Sequence, residues 1–358
     1  MDGLRSFSGP KRLPAKPMEP VIDPAGWTPD QLQDLDSWAY RFSGDDLDEL
    51  QAAIAIAIAK RKGVPLVDIA KGDFPLPRLA ATIADMRREL LDGRGMVVMR
   101  GFPVDRLSRE ETAIGYLGLG AHLGERVSQN KYGHILGHVK DLGGTNDATT
   151  RGYLTREEMW FHTDSTDFVG LLCLQSAKSG GESRIASSVT VYNRMLAEYP
   201  HLAKALINDF YFTRHGEQNP GEDPWYKQPV FAFTDGYFSA CGYSQYIQKA
   251  QGLPGVPPLT QDQKDAVPVY RRIVSECAVD MTFAQGDIQF LNNHVLLHSR
   301  RMYEDWPEAS RKRHLLRLWL HDAVGRPIPE YRRQGRHGRG VLLEGVVPNA
   351  PLDMTEAA

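Results

Sequence analysis

The stretch Trp160-Phe161-His162-Thr163-Asp164 sets an imidazole and a carboxylate two residues apart. In extended backbone, side chains at i and i+2 point to the same side, so His162 and Asp164 can reach one ion together. An HxD pair alone is a weak signal, and it needs a third donor. The segment Gly286-Asp287-Ile288-Gln289-Phe290-Leu291-Asn292-Asn293-His294-Val295-Leu296-Leu297-His298 offers one. It reads as a strand running into a polar turn, with His298 after three apolar residues. Two imidazoles and one carboxylate leave three adjacent octahedral positions open, an arrangement suited to ferrous iron and oxygen chemistry. His294 competes with His298 for that place. The favoured reading of His294 is a structural histidine that bonds turn carbonyls.

A second chemistry-bearing stretch is Arg313-His314-Leu315-Leu316-Arg317-Leu318-Trp319-Leu320-His321. As a strand it alternates cleanly. His314, Leu316, Leu318 and Leu320 share one face; Arg313, Leu315, Arg317, Trp319 and His321 share the other. Two guanidiniums on a largely apolar face are costly unless they meet anions, and arginine grips carboxylates with paired hydrogen bonds. Gly180-Gly181 suits a tight turn, after which Ser183 opens a strand with its hydroxyl available to a ligand. Arg332, Arg333, Arg336 and Arg339 form a basic run near the C-terminus. Its two readings are a solvated tail and a closure over an anionic substrate. Aromatic residues crowd 209–250, most of them expected in the core and some in a pocket wall.

These groups need a scaffold. Residues 1–44 are rich in Pro, Gly and Asp and read as an arm packed on the surface. Apolar spacing predicts helices over 45–62 and 77–91, and Ser108 with Glu111 is a capping-box signal for a helix to about 123. Strands are expected at 95–101, 168–174, 184–189, 230–233, 237–241, 281–283, 288–291 and 314–321, with helices at 192–198, 244–250 and 261–277. Pro268 is expected to break or kink the last of these. Many short strands with helical insertions predict a mixed α and β chain built on a jelly-roll core. The division expected is an arm (1–44), one domain (45–330, core about 93–321) and a tail (331–358).

Composition narrows the function. Of 358 residues, 42 are Lys or Arg and 45 Asp or Glu, a formal net charge of −3. That balance argues against a dedicated nucleic-acid binder. The three cysteines, Cys173, Cys241 and Cys277, are far apart and favour neither a disulfide framework nor a zinc knot. No run approaches the roughly 20 apolar residues of a membrane span. A soluble cytoplasmic protein is the expectation, with no nucleic-acid or membrane partner; oligomeric state, homo-oligomer included, is left open.

Taken in order, HxD, the Gly-Gly turn with Ser183, the Asn292-Asn293 segment with His298, and Arg313 with Arg317 resemble the taurine dioxygenase / clavaminate synthase-like family of Fe(II)- and 2-oxoglutarate-dependent dioxygenases. The resemblance covers about 93–321. It implies a double-stranded β-helix with iron at its mouth and His162, Asp164 and His298 as the catalytic ligands. It implies Arg313 and Ser183 at the distal carboxylate of 2-oxoglutarate, and Arg317 at an acidic group of the primary substrate. It also implies Tyr132 and His134, with Lys131, on an active-site loop as polar substrate contacts. The reaction implied consumes O2 and 2-oxoglutarate, releases succinate and CO2, and hydroxylates a C–H bond of a small anionic molecule. Two departures stand out: His294 lies where many members carry Arg, and Ser183 replaces the commoner Thr. The rivals are a cupin-like metalloenzyme that does not use 2-oxoglutarate and a non-catalytic binding protein on the same scaffold.

Overall fold

A computed structural model describes residues 9–353, except 33, 35–38, 62, 64, 144–150, 330, 331, 334–337 and 339. The chain is mixed α and β, and two sheets dominate it. The larger has seven strands. Its order is Tyr40–Arg41, Met96–Arg100, Ile288–Asn292, Phe168–Gln175, His314–His321 and Glu125–Arg126, with Leu136–Val139 also paired to His314–His321. The smaller runs Ala278–Met281, Ser183–Ser187, Leu296–Arg300 and Met159–His162.

The period-two pattern of the strands assigns the faces of the large sheet. Met99, Phe168, Leu172, Phe290, Leu316 and Leu318 pack with the helices Gly44–Arg61, Leu79–Asp92 and Arg109–Leu123 in one core. Their strand neighbours Val98, Val169, Leu291, Leu315 and Trp319 share a second core with Ile185 and Leu297 of the small sheet. Each such large side chain removed from water contributes roughly 1.5–3 kcal/mol. Arg313 and Arg317 lie on the face that meets the small sheet, so the same alternation that builds the core aims both guanidiniums inward.

Local signals explain the element ends. Ser108 accepts from the Glu111 backbone N–H, and the Glu111 carboxylate accepts from the Ser108 N–H at 2.8 Å. This closes the expected capping box. Gly180 and Gly181 both have positive φ, 72° and 76°. A Cβ on Gly180 would stand 2.4 Å from the Met302 carbonyl oxygen, and one on Gly181 3.1 Å from the Arg313 Nε. Only glycine lets this turn sit against the arginine.

Several expectations shift. The strand expected over 184–189 ends at Ser187, whose hydroxyl accepts from Thr190 N–H and starts a helix, Ser188–Glu198. The strand expected at 281–283 lies earlier, at Ala278–Met281. Helix Gln261–Glu276 runs through Pro268 without a break. Pro268 and Lys264, whose carbonyl loses its partner, are both exposed, so water can satisfy that oxygen. Residues 9–44 are more than a surface arm: Ala25 and Trp27 are buried in the core, and Trp27 Nε1 donates to the Arg94 carbonyl at 3.0 Å. The C-terminal residues also pack inward. Val341 joins the core, and the 340–351 stretch follows 128–139 through backbone bonds such as Val341 N–H to Ser128 O and Ile135 N–H to Asn349 O. Among the described residues, no helix is long and apolar enough to cross a membrane.

Candidate active site

His162 ends one strand of the small sheet and His298 lies in the adjacent antiparallel strand, directly opposite. Their rings stand 4.3 Å apart, centroid to centroid. Asp164 follows two residues after His162, and its Oδ2 lies 3.9 Å from His298 Nε2. One donor atom from each of the three falls within 4.8 Å of the others, the one such His/Cys/Asp/Glu group among the described residues. His162 Nδ1 donates to the Trp160 carbonyl at 2.8 Å, which fixes the tautomer and leaves Nε2 free to ligate.

The surroundings hold the right charge states. Burial, reinforced by His162, pushes His298 down to about 3, so it stays a neutral donor. Burial also lowers His162, against the pull of Asp164. For Asp164, burial works to raise the carboxyl, but Arg317, His298 and His162, with an indole hydrogen bond, outweigh it and hold it below its usual value. That bond comes from Trp319 Nε1 at 2.8 Å, and Asn293 Oδ1 takes the Asp164 backbone N–H at 3.1 Å. Two neutral imidazoles and an ionised carboxylate form a donor set suited to ferrous iron.

A small cavity beside the histidines is lined by Ser183, Arg300, Arg313 and Leu171 as well as His162 and His298. Arg313 Nη1 and Arg300 Nε and Nη1 are buried there without partners among the described residues. Burial lowers Arg300 to about 10, and the Arg313 charge adds to the effect. Arg300 Nη2 donates to the Glu157 carbonyl and Arg313 Nη2 to the Gly181 carbonyl, so neither charge meets a carboxylate through these bonds. The remaining buried N–H groups, beside a metal-type donor group, suit a ligand with at least one carboxylate. The Ser183 hydroxyl donates to Gln289 Oε1 at 3.2 Å and adds a polar wall. Arg300 was not singled out in the sequence.

Adjoining the small cavity, with His162 and Arg317 lining both, is a larger one. His162, Asp164, Arg317 and Trp319 line it, with Trp160, Arg151, Glu217, Tyr226, Tyr246 and Arg332. Arg317 is anchored there: its Nε donates to Gln129 Oε1 at 2.7 Å, and its Nη1 lies 3.5 Å from both Asp164 oxygens. Arg151 is paired with Glu217. Phe212 and Tyr226 supply the pocket wall expected of the aromatic stretch, whereas Phe210 and Phe231 are core.

Other sequence candidates fall elsewhere. His134 is buried, its Nδ1 3.2 Å from Asn130 Nδ2, and Tyr132 is 52% exposed beside it. Neither lines either cavity. His294 does not join the metal group; its Nε2 lies 2.7 Å from Asp167 Oδ1, a carboxylate rather than a turn carbonyl. Arg332 is buried and Arg333 exposed, while Arg336 and Arg339 lie outside the described residues.

The family model described as "Taurine catabolism dioxygenase TauD, TfdA family" matches residues 61–319. The chain belongs to that family. It is therefore a dioxygenase that uses Fe(II) and 2-oxoglutarate, and the His162–Asp164–His298 group with its adjoining cationic cavity fits both. The FR-33289 synthase of Streptomyces rubellomurinus is 32% identical over 324 residues, 87% of this chain and 93% of the relative. The taurine hydroxylase-like protein SAT17 of Stachybotrys chartarum is 27% identical over 310 residues, 83% and 78% of the two chains. Among solved structures, an asparagine oxygenase with Fe(II), 3-hydroxyasparagine and succinate aligns at TM-score 0.62 and 19% identity, covering 85% of this chain and 98% of that one. The non-haem iron oxygenase OrfP with iron and α-ketoglutaric acid aligns at 0.60 and 17%, covering 85% and 99%. These two share the fold.

Proposed function

We propose that this dioxygenase hydroxylates a C–H bond of a small molecule carrying an acidic group, with His162, Asp164 and His298 as iron ligands. Arg313, Ser183 and Arg300 hold 2-oxoglutarate, and Arg317 meets the substrate. The observation that carries the reading is the pair of cavities meeting at the metal group. One holds buried guanidinium N–H groups without partners among the described residues and touches both histidines; the other touches His162 and Asp164, and Arg317 lines both. The two sheets then act as the halves of a double-stranded β-helix. Residues 45–330 supply most of its single domain, and the segments around Trp27 and Val341 pack into the same core. Tyr132 and His134 are proposed to act on the substrate at one remove, through the loop they brace. Three buried free cysteines favour a reducing, cytoplasmic setting.

When bound, iron and 2-oxoglutarate supply the activation of O2, with release of succinate and CO2. The chain's own residues do the positioning. The Trp160 carbonyl and the strand pairing fix the two imidazoles. Trp319 and Asn293 fix the carboxylate, and Arg317 partly offsets its charge. Tyr226, Tyr246, Phe212 and Trp160 wall the larger cavity and limit water around the reacting carbon. The neighbours' hydroxyasparagine product and succinate support C–H hydroxylation of a small molecule.

The test is a screen of small carboxylic, sulfonic and phosphonic acids for substrate-dependent succinate release, with product mass as the second readout. A product 16 mass units heavier than its acid, formed together with succinate, is expected. Turnover of substrate with no succinate would favour the cupin-like rival.

A further inference from the structure

Arg332 comes from beyond the last long strand, yet it is only 2% exposed and lines the larger cavity with Asp164 and Arg317. Its Nη1 lies 3.4 Å from His294 Nδ1. His294 Nε2 lies 2.7 Å from Asp167 Oδ1, and the other Asp167 oxygen takes His321 Nδ1 at 2.6 Å and the Asp322 backbone N–H at 2.9 Å. An ionised carboxylate only accepts, so His294 carries its proton on Nε2 and offers Nδ1 as an acceptor to Arg332. The sequence Asp167–His294–Arg332 thus orients the guanidinium by one end. At the other end Nη2 is buried and has no partner among the described residues. A buried charged donor without an acceptor is costly, and the adjoining cavity is where an acceptor can come from.

The charges around the cavity agree. Arg151 is matched by Glu217, and Asp164 belongs to the metal group. Arg214 also lines the space, but it donates Nε to the Asp223 carbonyl at 3.1 Å and lies over the Tyr226 ring. Arg317 and Arg332 face the space as well. Arg317 already spends Nε on Gln129 and directs Nη1 to Asp164, whereas Arg332 spends only Nη1, and on a neutral imidazole.

We propose that Arg332 is a second, specificity-determining substrate anchor, which with Arg317 selects a substrate bearing an acid group of two or more oxygens. The inference rests on the reading of the larger cavity as the substrate site. His294 is then a positioning residue, which gives a role to a histidine that stands outside the metal group.

The test uses the full-length protein loaded anaerobically with Fe(II) and 2-oxoglutarate, so that the co-substrate cavity is filled. Sulfate and acetate are the probes, each titrated by calorimetry. Wild type is expected to bind at least one of them. R332Q weakens that binding by about tenfold or more, R332K keeps most of it, and H294N falls between. Loss for sulfate alone identifies a tetrahedral acid group; loss for acetate identifies a carboxylate. Melting temperature is followed in parallel. If R332Q does not fold, the comparison of R332K with H294N carries the test, since both retain a cation at 332. Equal affinity in wild type and R332Q, or in wild type and H294N in that case, overturns the proposal, as does a wild type that binds neither probe. If the loaded complex itself fails to form, the underlying reading of the metal and co-substrate sites fails instead, and the visible absorption of the complex separates the two cases.

Discussion

His162 and His298 face each other across one antiparallel register, in neighbouring strands of the four-stranded sheet, with ring centroids 4.3 Å apart. The two histidines therefore lie 136 residues apart in sequence yet are fixed by backbone pairing. A one-residue slip would turn His298 to the opposite face. The metal group is thus a property of sheet register as much as of side-chain identity.

Asp164 depends on its indole partner. Replacing Trp319 by Phe removes the 2.8 Å hydrogen bond to Oδ2 while keeping most of the apolar bulk. Iron affinity should fall by about 10–100-fold, as for other outer partners of metal ligands, with melting temperature little changed. Ferrous titration checks this; unchanged affinity would show that Asn293 and the backbone suffice.

The small cavity proposed for the co-substrate holds two arginines, Arg300 and Arg313. R313A and R300A should each raise the 2-oxoglutarate KM by about tenfold or more, since each removes a charge-assisted hydrogen-bond donor worth about 1.5–3 kcal/mol. The KM is read from succinate release at saturating primary substrate. An R300A enzyme with the parental KM would assign the distal carboxylate to Arg313 and Ser183 alone.

Arg317 lines both cavities and reaches Asp164. R317A should raise the KM of the primary substrate more than that of 2-oxoglutarate. The reverse ordering would mean that the roles of Arg313 and Arg317 are exchanged.

A buried histidine pair makes the fold acid-sensitive. His138 Nε2 lies 2.8 Å from the Pro351 carbonyl, and its Nδ1 lies 2.7 Å from His314 Nε2. His314 Nδ1 faces Arg109 Nη1 at 3.2 Å. Only neutral rings satisfy the whole row: Arg109 donates to His314, His314 to His138, and His138 to the carbonyl. Burial and the His138 neighbour push His314 down to about 3, and burial lowers His138 as well. Unfolded histidines protonate near 6.5, so between that value and the folded one the unfolded chain binds more protons. Stability should be full above about pH 6.5 and fall by up to about 1.4 kcal/mol per pH unit per histidine as pH drops. Urea titrations of wild type and H314Q at pH 7 and pH 5 test this. The slope with pH should be smaller in the variant; identical slopes would remove the pair from the account.

Much of the site was legible because strand alternation is a strong code. His162 with Asp164, and Arg313 with Arg317, could be placed on common faces from spacing alone; the strand running into a polar turn offered His298 beside His294, and the family resemblance chose His298. Arg300 escaped because nothing in its own strand marks a guanidinium with unsatisfied N–H groups; that appears only when Arg313, just before the last long strand, comes beside it. Gln129 and Trp319 act on groups far along the chain, so their roles emerge only after folding. Tyr132 and His134 were placed by resemblance, and the loop that bears them is bridged to Asn349 instead of opening on the cavities. The burial of Trp27 and Arg332 was illegible for the same reason: neither segment carries a periodic pattern, and both are drawn in by partners distant in sequence.

The most direct measurement is the visible absorption of the protein mixed anaerobically with Fe(II) and 2-oxoglutarate. The account predicts a weak metal-to-ligand charge-transfer band that is absent in H298A and appears only at raised 2-oxoglutarate concentration in R313A. Iron binding without such a band in the wild-type protein, or an undiminished band in H298A, would contradict it.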